Sequence, residues 1–163
     1  MSGLRCFSPR CSGRKVYWAP ARGAPERESS GIGMDCAEQV RVPFVPSAAR
    51  TARYRLSSFL TEQHLAQPVV DDAMVVISEL VTNAVRHATP QGDGELGVSW
   101  TLERGDLVIA VEDGGSNQLP EVMAADVSTE AGRGLSIVSV LARRWWVEPR
   151  GHGVRVSALL DAG

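Results

Sequence analysis

The chain has 163 residues, a formal net charge of -2, and hydrophobic and charged fractions of 44% and 22%. That is the composition of a soluble globular protein long enough for one domain with a real core, and the near-neutral charge gives no electrostatic case for a nucleic-acid or membrane partner. No apolar run reaches the length of a membrane span, and the Arg-containing N-terminus lacks the apolar segment of a secretory signal, so a cytoplasmic location is expected.

Residues 1–39 show no sustained period and are dominated by Gly, Pro, Ser and Arg. They are expected to form a disordered tail, with Met34 as an alternative start, leaving 40–163 as the folded domain. The cysteines, Cys6, Cys11 and Cys36, all fall in this stretch. Their odd number argues against a disulfide framework and for a reducing compartment. Cys6 and Cys11 are not at zinc-finger spacing.

Val40–Val45 is a short β-like run that Pro43 confines to a sheet edge. Pro46-Ser47 opens a helix with Ser47 as N-cap, and Ala48, Ala52, Leu56, Phe59 and Leu60 form its apolar stripe. Arg50, Arg53 and Arg55 have no acidic residue between Ser47 and Thr61 to pair with. They are expected to contribute to a protein–protein surface facing an acidic patch.

Gln67-Pro68 breaks the chain before a second helix, Asp71 to Ala88. Ala73, Val76, Ile77, Leu80, Ala84 and Ala88 recur at helical spacing on one stripe, widened by Met74, Val81 and Val85. Glu79 and Asn83 stand at the stripe's edge, one turn apart on the same side. An acid and an amide at a core boundary suit a helix lining a cleft.

After the Thr89–Gly94 loop, Leu96, Val98, Trp100 and Leu102 alternate with Glu95, Gly97, Ser99 and Thr101, as in a strand. Arg104-Gly105 fits a tight hairpin turn. In the returning strand Leu107, Ile109 and Val111 share a face, and Asp113 continues that phase. A carboxylate is thus aimed at the buried side where the strand ends, and it needs a partner or a ligand. Gly114-Gly115 stops the strand.

Ser116–Ala131 is a long irregular connection, of a length that is often functional. Gly132-Arg133-Gly134 leads into a third helix, Leu135 to about Trp145, with Leu135, Val138, Leu141, Ala142 and Trp145 on its apolar face. Backbone N–H groups and the positive dipole end at such a start suit an anion. The chain closes with a hairpin that turns at Arg150-Gly151-His152-Gly153.

Taken in order, these signals resemble the GHKL ATPase superfamily, or Bergerat fold. Glu79-Leu80-Val81-Thr82-Asn83-Ala84-Val85-Arg86-His87-Ala88 is similar to its N box. Asp113-Gly114-Gly115 is similar to the first glycine box, and Gly132-Arg133-Gly134-Leu135 to the second. The resemblance covers roughly residues 42–160. Within the superfamily it points to the small bacterial anti-sigma-factor serine/threonine kinases, whose domain stands alone.

The resemblance implies an α/β (α+β) two-layer sandwich: a mixed, mainly antiparallel sheet on one layer of helices, with ATP in the cleft between them. It implies that Glu79 is the general base and that Asn83 holds the Mg²⁺ bridging the ATP phosphates. Arg86 and His87 would lie toward those phosphates. Asp113 would accept from the adenine amino group, with Gly115 allowing close passage of the chain. Gly132, Arg133, Gly134 and Leu135 would meet the phosphates, and residues 116–131 would form a lid.

The implied substrate is an anti-sigma-factor antagonist protein, with a sigma factor as second partner, no direct nucleic-acid contact and no membrane. A homodimer is compatible with it. The alternatives are an ATP-binding regulatory module without kinase activity, or a plain ATPase. Two departures stand out. Asn117 replaces a glycine common in the first glycine box, and Gly153-Val154 stands where a Thr usually helps bind adenine.

Overall fold

The computed structural model describes the backbone of residues 36–115 and 130–163, and the side chains of all of these but 130–134. The elements run β1 (Cys36–Pro43), α1 (Ala48–Glu62), α2 (Gln67–His87), β2 (Glu95–Glu103), β3 (Asp106–Glu112), α3 (Glu130–Leu141), β4 (Arg144–Arg150) and β5 (Gly153–Asp161). The sheet has five strands in the order β1-β2-β3-β5-β4. Every one of its four pairings is antiparallel. The three helices pack with it as an α+β sandwich.

The alternation read from the sequence sets the inner face. Leu96, Val98 and Trp100 of β2 meet Leu107, Ile109 and Val111 of β3, and all six are buried. From above, α1 adds Ala48, Ala52, Leu56, Phe59 and Leu60, and α2 adds Ala73, Val76, Ile77, Leu80, Val81 and Ala84. These form one core cluster, as a helix stripe and a sheet face must when each covers the other. Phe59 reaches down to Trp100 with ring centroids 6.1 Å apart. The Trp100 Nε1 has no hydrogen-bond partner among the described residues. That costs on the order of 1–3 kcal/mol, which the large apolar area of a fully buried indole offsets.

The turn between β2 and β3 has Arg104 at φ 52° and Gly105 at φ 82°. Two positive φ values make the primed turn whose twist matches antiparallel strands. The C-terminal hairpin also turns where expected, around Gly151 at φ 60°.

Four boundaries differ from the sequence reading. β1 starts at Cys36 rather than Val40, and Cys36–Gln39 pair with Ser99–Leu102, so the last residues assigned to the tail are sheet. Residues 1–35 lie outside the described residues. Gln67 and Pro68 open α2 rather than precede it, because a first-turn N–H has no partner within the helix for proline to forfeit. Ser47 is the N-cap of α1 but sits at φ -81°, ψ -3°, and makes no side-chain cap bond. Finally, α3 begins at Glu130, so Gly132 and Gly134 lie within its first turns, and it ends at Leu141. Trp145 belongs to β4, opposite Ala158. It still packs against the core, from the sheet side.

Candidate nucleotide site

Helix α2 carries four of the residues singled out. Glu79 and Asn83 are half-buried, while Arg86 and His87 in the last turn are exposed. Among the described residues, neither the Glu79 carboxylate nor the Asn83 amide has a hydrogen bond or ion pair. Glu79 therefore does not pair with Arg86, the contact that would make it a plain structural residue. Both side chains thus keep their polar atoms available at a core edge, with no partner among the described residues.

Asp113 follows β3 and is half-buried, as its phase predicts. Its Oδ1 accepts from the N–H of Gly115 (2.7 Å) and from the N–H of Val154 (3.1 Å). Its own N–H donates to the Val154 carbonyl at 3.0 Å, extending the β3–β5 ladder by one residue. Oδ2 has no partner among the described residues. One carboxylate oxygen is thus locked by backbone amides and the other is left to accept.

The Asp113–Gly115 segment is gripped from both sides. On one side the stretch following α2 holds it: Gly114 N–H donates to Thr89 O (2.9 Å), and Thr89 N–H donates to Gly115 O (2.8 Å). The Thr89 hydroxyl also donates to Gly115 O. On the other side lies the β4–β5 turn. A Cβ on Gly114 would stand 2.0 Å from Pro90 O, one on Gly115 1.8 Å from His152 O, and one on Gly153 2.0 Å from Asp113 O. Backbone approaches this close admit only glycine. Gly115 also needs it for its φ of +95°.

This clamp ties the C-terminal end of α2 to the end of β3, and so joins the helix carrying Glu79 and Asn83 to the segment carrying Asp113. A small polar cavity of about 210 Å³ opens beside it, lined in part by Gln91, Glu112 and His152. It is below the roughly 300–1,000 Å³ of small-molecule pockets, so it holds at most part of a ligand.

Gly132, Arg133, Gly134 and Leu135 fall in the first half of α3, which packs on α2. Residues 116–129 of the expected lid lie outside the described residues; the last two, Glu130 and Ala131, open α3. No group of three or more His, Cys, Asp or Glu among the described residues is arranged to hold a metal. The oxygen of Asn83 nevertheless fits Mg²⁺, which takes one or two protein ligands and fills the rest of its shell with phosphate and water.

On α1, Arg50 and Arg55 are exposed and without partners among the described residues. Arg53 is different. It is half-buried, and its Nη1 donates to Ser78 Oγ on α2 at 3.0 Å. Thr89 and the Val154 amide were not legible as site residues. Thr89-Pro90 at a helix end reads simply as a stop signal, and the partner of a backbone amide has no sequence signature.

The chain matches the histidine kinase-like ATPase domain family over residues 42–158. It is 25% identical over 114 residues to the serine-protein kinase RsbW of Listeria monocytogenes, covering 63% of this chain and 73% of that one. With the protein of the same name in Oceanobacillus iheyensis it shares 28% identity over 80 residues, 48% of this chain and 51% of the relative. Among solved structures, the RsbU and RsbW domains of Rv1364c from Mycobacterium tuberculosis align with a TM-score of 0.61 and 22% identity, over 78% of this chain and 32% of that one.

Proposed function

Because the chain belongs to the histidine kinase-like ATPase domain family, whose members use ATP, we propose that it is a serine/threonine protein kinase of the anti-sigma-factor type, phosphorylating an antagonist protein and binding a sigma factor. The observation that carries this is the pair Glu79 and Asn83: half-buried, one turn apart, and without partners among the described residues. Their helix is tied by hydrogen bonds to the segment of Asp113. The names of the two bacterial relatives support the kinase class.

In this reading Asp113 Oδ2 accepts from the exocyclic amino group of adenine, its direction fixed by the two backbone bonds to Oδ1. Arg86 and His87, exposed at the end of α2, meet the phosphates from one side. The start of α3, with Gly132 in its first turn and Arg133, Gly134 and Leu135 following, faces them from the other, where first-turn N–H groups and the positive end of the helix dipole favour anions. Asn83 supplies an oxygen to Mg²⁺, which when bound neutralises charge building on the transferring phosphoryl group.

Glu79 takes the proton of the acceptor hydroxyl as its oxygen forms a bond to the γ-phosphorus. The bond from that phosphorus to the β–γ bridging oxygen breaks, and ADP leaves with the electron pair. A general base in this position contributes about 10²–10⁴-fold.

Incubation with γ-labelled ATP, Mg²⁺ and a candidate antagonist tests the reading. Label on a serine or threonine of the antagonist supports the kinase. Free phosphate alone makes the protein an ATPase. Nucleotide binding with neither product makes it a regulatory module.

A further inference from the structure

Thr89 lies two residues beyond the end of α2 and is exposed. An exposed threonine can satisfy its hydroxyl with water. Here the hydroxyl and the N–H of the same residue converge on one carbonyl, that of Gly115. The Thr89 carbonyl in turn accepts from Gly114. Gly115, a glycine at φ +95° with no side chain to anchor it, packs on the β4–β5 turn on its other side, so Thr89 completes its fixation. The Gly115 N–H is also one of the two groups that lock Asp113 Oδ1.

We propose that Thr89 is a positioning residue for base recognition: by holding Gly115 with two donors, it fixes the direction in which the Asp113 carboxylate faces the purine. The inference rests on the assignment of Asp113 to the adenine amino group. Its logic is that of a site built around one hydrogen bond. An acceptor held in one direction rewards a ligand with a donor there and penalises one without it. A carboxylate free to swing can turn toward water and loses that discrimination. Thr89 sits at the end of the helix carrying Asn83, so the same contact keeps the base-facing and phosphate-facing ends in register.

The test is calorimetric binding of ATP and ITP, with Mg²⁺, to the full chain and its variants. ITP carries a carbonyl oxygen where ATP has the amino group. Thr89→Val keeps the shape and the backbone bond but removes the hydroxyl; it should lower the ATP-to-ITP affinity ratio about three- to tenfold, the effect of one hydrogen bond. Thr89→Ser restores the hydroxyl and should restore the ratio, which recovery of packing alone would not do.

A wild-type ratio in Thr89→Val, or a Thr89→Ser ratio no better than that of Thr89→Val, overturns the proposal. Asp113→Asn, measured beside them, separates the two levels. If it abolishes discrimination while Thr89→Val does not, the role of Thr89 alone is wrong. If Asp113→Asn leaves the ratio unchanged, the base assignment falls and the positioning role with it.

Discussion

Asp113 and Val154 are joined twice: the Asp113 N–H donates to the Val154 carbonyl at 3.0 Å, and the Val154 N–H donates to Asp113 Oδ1 at 3.1 Å. The acid is therefore an extension of the sheet, with its side chain oriented by the backbone of the neighbouring strand. This dictates what an amide would do there. In Asp113→Asn the Asn Oδ1 can still accept both backbone N–H groups, so the fold should survive. The outward oxygen becomes an NH₂ donor, which would face the adenine amino group in the proposed binding mode. ATP affinity should fall about 10- to 150-fold, from loss of a charge-assisted bond worth about 1.5–3 kcal/mol. Titration calorimetry and a melting curve measure both halves of this expectation.

Asn83→Ala should act through the metal. ATP affinity in wild type should be higher with Mg²⁺ than with excess chelator. The variant should bind ATP with nearly the same affinity in both, because the side-chain oxygen proposed to anchor the cation is gone. Its melting temperature should change little, since the Asn83 side chain makes no hydrogen bond among the described residues. A variant with an undiminished Mg²⁺ effect would remove Asn83 from the site.

The arginines of α1 divide into two roles. Arg53→Ala should lower stability by about 1 kcal/mol, because it leaves Ser78 Oγ without the guanidinium it holds across the helix interface. Arg50→Ala and Arg55→Ala should leave stability unchanged and weaken binding to the antagonist or sigma factor. Denaturant melts and partner titrations on the three single variants distinguish these outcomes.

The loop entering β2 has an acid-sensitive tie. Arg41 of β1 donates to Asp93 and Gln91, and its Nε donates to Glu95 Oε2 at 3.4 Å. The hydrogen bond from Arg41 holds the Asp93 carboxyl below its ordinary value. A depressed folded pKa means that the stabilisation is complete above the unfolded value of about 3.9 and is lost as pH falls through the lower folded value. Wild type and Asp93→Asn should differ in melting temperature at pH 6 and converge as pH drops below about 4. A constant difference across that range would show that Asp93 is not the titrating group.

Much of this arrangement was legible in the sequence, because its signals are local. A period of 3.6 put Glu79 and Asn83 at the edge of a buried stripe, and a period of two carried Asp113 onto the inner face. Where the reading slipped, tertiary contacts decided. Ala37 and Gln39 carry no strand pattern of their own and are strand because Thr101 and Ser99 pair with them. Trp145 satisfies an apolar helix face as well as a strand, and its pairing with Ala158 fixes the choice. The Thr89–Gly115 contact spans 26 residues, so neither periodicity nor a short motif could announce it.

The account stands most directly on Glu79. The measurement is phosphotransfer from γ-labelled ATP to an antagonist by Glu79→Ala, beside its Mg-ATP affinity and melting temperature. Because Glu79 has no partner among the described residues, the variant should melt with the wild type and bind Mg-ATP with similar affinity. Transfer should fall by about 10²–10⁴-fold. A well-folded Glu79→Ala protein that binds Mg-ATP and phosphorylates the antagonist at the wild-type rate would contradict the mechanism.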